Sequence, residues 1–173
     1  MMGGKIDVES TQGKGSRFVV TIPCDLPESS PADTNAAGTE SFTLEGIRLL
    51  LAEDNLLNRE IALELLGMEG ASVTAAENGR EAVEIFSRNP PGTFDAILMD
   101  IQMPQLDGYG ATREIRQLDR PDAADIPILA MTANAFEEDI TAARAAGMNG
   151  HIAKPIDITR IKAALAAALS GRT

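Results

Sequence analysis

Residues 97 to 108 read "ILMDIQMPQLDG". Ile97, Leu98 and Met99 form an apolar run, Asp100 ends it, and Pro104 and Gly108 interrupt whatever follows. Taken from Phe94, "FDAILMD" has the apolar continuity expected of a strand buried on both faces, not the alternation of a half-exposed one. A strand of that kind holds its last side chain on a rigid support. The turn implied by Pro104 and Gly108 then takes the chain away and leaves room in front of the Asp100 carboxylate.

The flanking sequence repeats the pattern. "IRLLLAED" (47–54), "ASVTAAE" (71–77), "IPILAMTA" (126–133) and "GHIAKPI" (150–156) are further short apolar runs. Between them lie helical segments. "LLNREIALELLGMEG" (56–70) carries Leu57, Ile61, Leu65 and Met68 at helical spacing and stops at Gly70. "GREAVEIFSRN" (79–89), "GYGATREIRQLDR" (108–120), "AFEEDITAARAAGM" (135–148) and "ITRIKAALAAALSG" (158–171) complete the set. Five strands alternating with five helices predict an α/β fold, a parallel sheet covered on both faces.

Upstream the composition changes. Residues 24–45, "CDLPESSPADTNAAGTESFTLE", are rich in Pro, Ser, Thr, Asp and Ala and read as a flexible linker. In residues 1–23, "KIDVES" and "RFVVTIP" flank a Gly-Lys-Gly turn, which predicts a β-hairpin. A lone hairpin is marginal in water, so this one is expected to belong to the edge of something larger. The α/β domain is expected over residues 46–170.

Bulk properties narrow the function. The 173 residues carry a formal net charge of −11 and only 3% aromatics without tryptophan, which disfavours nucleic-acid or anionic-membrane partners. Cys24 is the single cysteine, so neither an intrachain disulfide nor a cysteine-rich zinc site can form. No stretch is long and apolar enough to span a bilayer, and the expected location is cytoplasmic, with any membrane attachment supplied by a parent protein.

In open parallel sheets functional groups gather outside the carboxyl ends of the strands. Those ends supply Glu53 and Asp54, Asp100, Thr132, and Lys154 followed by Pro155. An acid pair at a helix start also suits the helix dipole, and a lysine there neutralises acids, but neither fact brings Asp100 and Thr132 to the same edge. The set suits Mg²⁺-assisted phosphoryl transfer. Mg²⁺ takes oxygen ligands, for which Asp54 and Asp100 can serve directly, Glu53 through water, and Gln102 through its backbone carbonyl. A carboxylate can accept a phosphoryl group, and Lys154 and Thr132 can hold the phosphoryl oxygens.

"LLLAEDN", "DAILMDIQMPQLDGYGATREIR", "PILAMTANA" and "GMNGHIAKPI" together resemble the receiver domain of two-component response regulators, from about Ile47 to Leu169. The resemblance implies a doubly wound, flavodoxin-like fold with strand order 2-1-3-4-5, an arrangement in which one such receiver is a standard example. It implies that Asp100 takes a phosphoryl group from a phosphohistidine, within an acidic pocket of Glu53, Asp54 and Asp100. Thr132 and Lys154 match the switch hydroxyl and the phosphate-binding lysine. His151 stands where the family usually has a switch Tyr or Phe. Gln102 and Asn134 match positions that admit or orient water.

The hairpin is similar to the last glycine motif and closing strands of a histidine-kinase ATP-binding domain, but the other motifs of an ATP site are missing from this sequence. The implied whole is the C-terminal portion of a hybrid sensor kinase. Its implied partners are a histidine kinase or a histidine phosphotransfer domain, with dimerisation through the fourth helix, fifth strand and fifth helix of the receiver. On this reading it is a signalling module and not an enzyme. The alternatives are a Mg²⁺-dependent phosphatase with an aspartyl nucleophile, weakened by Gln102 where such enzymes need a second acid, or a scaffold that is never phosphorylated.

Overall fold

The computed structural model describes residues 5–11, 13, 15–21, 42–133 and 137–170. The chain divides into two units, Met1–Thr39 and Glu40–Thr173. In the first, β1 (Lys5–Thr11) and β2 (Gly15–Thr21) pair antiparallel, from Lys5 opposite Thr21 to Thr11 opposite Gly15. The turn lies at the expected glycines, with Gly13 and Gly15 both at positive φ. Side chains alternate across such a ribbon. Ile6, Val8 and Phe18 therefore share one face, and all three are exposed.

The second unit holds β3 (Arg48–Ala52), α1 (Leu56–Met68), β4 (Ser72–Ala76), α2 (Gly79–Arg88), β5 (Ala96–Asp100) and α3 (Gly108–Gln117). It continues through β6 (Ile128–Thr132), α4 (Glu137–Ala146), β7 (Gly150–Ala153) and α5 (Ile158–Ser170). The five strands are parallel in the order β4-β3-β5-β6-β7, the expected flavodoxin-like winding. The central strand β5 is buried at every position, as its unbroken apolar run requires.

Period-two alternation divides the core. Leu50, Ile97, Met99 and Ile128 face one side and pack with Phe86 and Ile115. Leu49, Leu51, Leu98 and Met131 face the other, against Leu66, Ile161 and Leu165. Each such fully buried aliphatic contributes about 1.5–3 kcal/mol.

Two features depart from the sequence reading. Residues 24–41 of the expected linker lie outside the described residues, but Leu44 is fully buried and Phe42 packs beside it in the second core cluster. The apolar stripe of α1 is also turned outward. Leu57, Ile61 and Met68 are exposed and Leu65 is half-buried, and the helix buries Arg59, Ala62 and Leu66 instead. This helix has two apolar stripes, and the smaller Ala62 lets it lie close to the sheet.

Three helix starts at the strand-tip rim are capped by the side chain just before them. Asn55, Asn78 and Asp107 accept from the backbone N–H of Asn58, Glu81 and Gly110 at 3.1, 2.9 and 2.6 Å. These bonds satisfy first-turn donors and fix where each strand hands over to its helix. After β5 the turn tightens, with the Leu106 N–H on the Pro104 carbonyl at 2.7 Å and Gln105 between them at φ 66°. Gly108 then donates to the Ile101 carbonyl at 2.9 Å. A Cβ at Gly108 would lie 2.2 Å from the Asp100 carbonyl oxygen, so only glycine lets the loop fold back this closely.

Candidate functional site

Parallel register brings the strand tips to one rim. Asp100 ends β5 opposite Met131, one residue short of Thr132 at the end of β6. Thr132 in turn sits opposite Ala153, and its carbonyl accepts the Lys154 N–H at 2.8 Å. On the other side of β5, Glu53 follows β3 and its N–H is held by the Ala76 carbonyl at 3.1 Å.

The side chains then converge. Lys154 Nζ lies 2.6 Å from Glu53 Oε2 and 2.6 Å from Asp100 Oδ2, bridging two carboxylates from different strands. Glu53 is fully buried and Asp100 nearly so, whereas Asp54 is exposed. Glu53, Asp54 and Asp100 each present one carboxylate oxygen within 4.8 Å of the others. All three donors are hard oxygens, the chemistry that Mg²⁺ selects, and the exposed Asp54 leaves the group open to solvent. These residues fit such an ion.

The electrostatics follow from burial. Desolvation pushes the Asp100 carboxyl above the usual carboxylate range, and the neighbouring Glu53 adds to the rise. The Lys154 ammonium and the Gln102 N–H, 3.4 Å from Oδ1, pull it back without cancelling it. Desolvation acts on Lys154 in the opposite sense, but hydrogen bonds and charge from Asp100 and Glu53 outweigh it and hold the ammonium above the ordinary lysine range. The two directions are compatible. The lysine gains two anions, while the aspartate pays for burial beside a second one.

Of the residues expected from sequence, Glu53, Asp54, Asp100 and Lys154 are brought together and Thr132 ends the adjacent strand. The Gln102 side chain is exposed in the loop that follows. His151 is exposed on β7 and, with Tyr109, Thr132 and Ile140, lines a small cleft beside α4. Asn134 lies outside the described residues. Sequence reasoning missed Asn58, whose Nδ2 donates to Glu53 Oε1 at 3.1 Å, and Arg59, whose guanidinium contacts the same loop. The available signal was a polar pair at the first turn of a helix beginning just past two acids.

Comparison with known proteins gives a consistent picture. Residues 49–166 match the model of the response regulator receiver domain. The aerobic respiration control sensor protein ArcB of Escherichia coli is 35% identical over 163 residues, covering 94% of this chain and 20% of that protein. The chain thus spans about a fifth or less of the length of the curated relatives it matches. A crystal structure of the receiver domain of a Pseudomonas aeruginosa sensor histidine kinase, with a magnesium ion coordinated in its active site cleft, is 38% identical with a TM-score of 0.65, covering 72% of this chain and 98% of that one. A Saccharomyces cerevisiae receiver domain, that of Ssk1, crystallised with the histidine phosphotransfer protein Ypd1, is 31% identical with a TM-score of 0.62, covering 69% of this chain and 86% of that one.

Proposed function

The chain belongs to the response regulator receiver domain family, and on that footing we propose that Asp100 is the acceptor through which it takes a phosphoryl group from a phosphohistidine. The observation that carries the assignment is the bridge from Lys154 Nζ to Glu53 and Asp100, with the Asp54 carboxylate beside it. Asp100 is the member of the set at the tip of the central strand, with a loop that turns off sharply behind it.

In the step itself an Asp100 carboxylate oxygen attacks phosphorus, an O–P bond forms, and the N–P bond to the donor imidazole breaks, leaving a histidine that takes up a proton. Asp54 and Asp100 would hold a Mg²⁺ ion directly, with Glu53 acting through water and the Gln102 backbone carbonyl as a further ligand, and the bound ion would supply charge neutralisation for the transferring group. Lys154 already stands 2.6 Å from the Asp100 carboxylate, within reach of a phosphoryl oxygen placed there. The Thr132 hydroxyl donates to another. Phosphorylation replaces the single carboxylate charge of Asp100 with a phosphoryl group carrying roughly −1.5 to −2 charges at pH 7, which draws these two donors inward. His151, exposed on β7, is the switch position of this chain, and α4, β7 and α5 form the output surface and the site of any dimerisation.

The donor approaches over α1. Among the described residues of the second unit, the large exposed apolar side chains are Leu56, Leu57, Ile61 and Met68, all on this helix. A groove of about 390 Å³ lined by Asn58, Ile61, Lys154, Pro155 and Ile156 runs from that helix to the site lysine. The donor is a phosphohistidine-bearing kinase or phosphotransfer domain. We read the whole as a stretch of a hybrid histidine kinase, with the hairpin from the end of its ATP-binding domain. No described helix is long and apolar enough to cross a membrane.

Acetyl phosphate with Mg²⁺, read by intact mass, tests the assignment. One lasting phosphate that disappears in Asp100→Asn is the expected result. Full labelling of Asp100→Asn refutes the acceptor, rapid turnover identifies a phosphatase, and no reaction at all identifies a scaffold.

A further inference from the structure

We infer that Arg59 is a positioning residue for the metal-binding acids, acting through the backbone of Glu53 and Asp54. This rests on the reading of those acids as a Mg²⁺ site. Arg59 lies on the inward face of α1 with Ala62 and Leu66 and is only 8% exposed. A guanidinium there is costly unless its donors are used. They are used on the loop that carries the acids. One terminal nitrogen donates to the Glu53 carbonyl at 2.8 Å and reaches the Asp54 carbonyl at 3.4 Å. The other donates to Glu77 Oε1 at 2.9 Å, just past β4.

The location gives this geometry its consequence. β3 ends at Ala52 and the Ala76 carbonyl still holds the Glu53 N–H, but the peptide planes beyond, which carry the Glu53 and Asp54 carbonyls, are held by Arg59. Those planes set the directions in which the Glu53 and Asp54 side chains leave the backbone. Glu53 is also gripped at its carboxylate by Asn58 and Lys154. Asp54 is exposed, and its aim depends on the backbone that Arg59 holds. A simple ion pair with Glu77 accounts for less. The Glu77 side chain is 69% exposed, and pairs with so exposed a partner contribute little. The buried nitrogen is spent on the two carbonyls. Residues that orient metal ligands in this way commonly change affinity by about 10-fold or more when lost.

Mg²⁺ titration calorimetry on the full chain, with a thermal melt of each variant in the absence of the ion, distinguishes positioning from mere stabilisation. Arg59→Ala is expected to weaken Mg²⁺ binding by about 10-fold, and Glu77→Gln to leave it unchanged. Arg59→Lys, which keeps the charge but not the fork, serves as the second variant and is expected to fall between them. Should Arg59→Ala fail to fold, Arg59→Lys alone decides. Wild-type Mg²⁺ affinity in the folded variant, with or without a lowered melting temperature, overturns the inference. An equal loss in Glu77→Gln also overturns it, because the ion pair would then be the active element. If the unaltered chain binds no Mg²⁺, the metal reading fails and this inference falls with it.

Discussion

Burial raises the proton affinity of Asp100 in the folded state, and the sign of that shift has a measurable result. Between the ordinary carboxyl range and the folded value, the native chain holds more protons than the unfolded chain, so stability falls as pH rises through that window. At neutral pH the ionised Asp100 is therefore a cost. Asp100→Asn is expected to raise the melting temperature at pH 7. The gain should vanish in acid, below the ordinary carboxyl range. Equal or lower stability at pH 7 would contradict it. Lys154 has the opposite role. Its raised value means that its contribution is full at neutral pH and is lost only as pH climbs through the alkaline lysine range. Lys154→Met leaves the Glu53 and Asp100 carboxylates buried without their bridge and is expected to cost about 3 kcal/mol. Adding Asp100→Asn should recover part of that loss, and strictly additive effects in denaturant titrations would show that the two side chains are not coupled.

At the scale of elements, the N-terminus of α2 is the seat on which the loop behind Asp100 rests. A Cβ at Gly79 would lie 2.3 Å from the Leu106 carbonyl oxygen and 3.0 Å from the Ala111 Cβ. Neither neighbour can yield without moving the β5–α3 loop or α3 itself. Gly79→Ala is thus expected to cost about 1–3 kcal/mol and to slow acetyl-phosphate labelling, because the loop carries Gln102. Gly67, helical and with open space around its Cβ position, is the contrast. Gly67→Ala should stabilise by about 0.5–1 kcal/mol and leave labelling alone. Chemical denaturation and labelling rates check both, and similar effects at the two positions would defeat the argument. The same scale shows what the sequence makes legible. Continuous apolar runs identify the strands, and the residues at their ends identify the acid and lysine set, because both are properties of neighbouring residues. The orientation of α1 is not legible in that way. Its Leu57–Ile61–Met68 stripe has the right period, but Ala62 and Leu66 on another stripe win the core, and Arg59 among them reads as a surface residue until its carbonyl partners are seen. Leu44 was hidden for a related reason, an apolar side chain at the end of a polar stretch whose cavity is built by distant strands.

For the whole molecule, the outward stripe of α1 bears on which reactions need a partner. Leu57→Ser with Ile61→Ser should slow labelling by a phosphohistidine-bearing donor by about 10-fold or more, a loss on the scale of interface hot spots. Labelling by acetyl phosphate, which needs no docking surface, should be unchanged. Equal effects on both donors would place the damage in the site. The division into Met1–Thr39 and Glu40–Thr173 sets a second test. Both hydrophobic clusters are built from residues of the second unit, and so are the acids and the lysine. The described residues of the first unit are a two-stranded ribbon with exposed apolar side chains, a structure that is marginal by itself. A chain beginning at Glu40 should therefore melt within about 2 °C of the full chain, since a change of 1 kcal/mol would move the midpoint by more than that. It should also bind Mg²⁺ and accept phosphate from acetyl phosphate as the full chain does, while the peptide 1–39 shows no cooperative thermal transition. A lower melting temperature together with weaker phosphoacceptance would mean that the hairpin is part of the receiver's working structure. Unchanged phosphoacceptance with a cooperative transition in the peptide would mean that the first unit folds by itself.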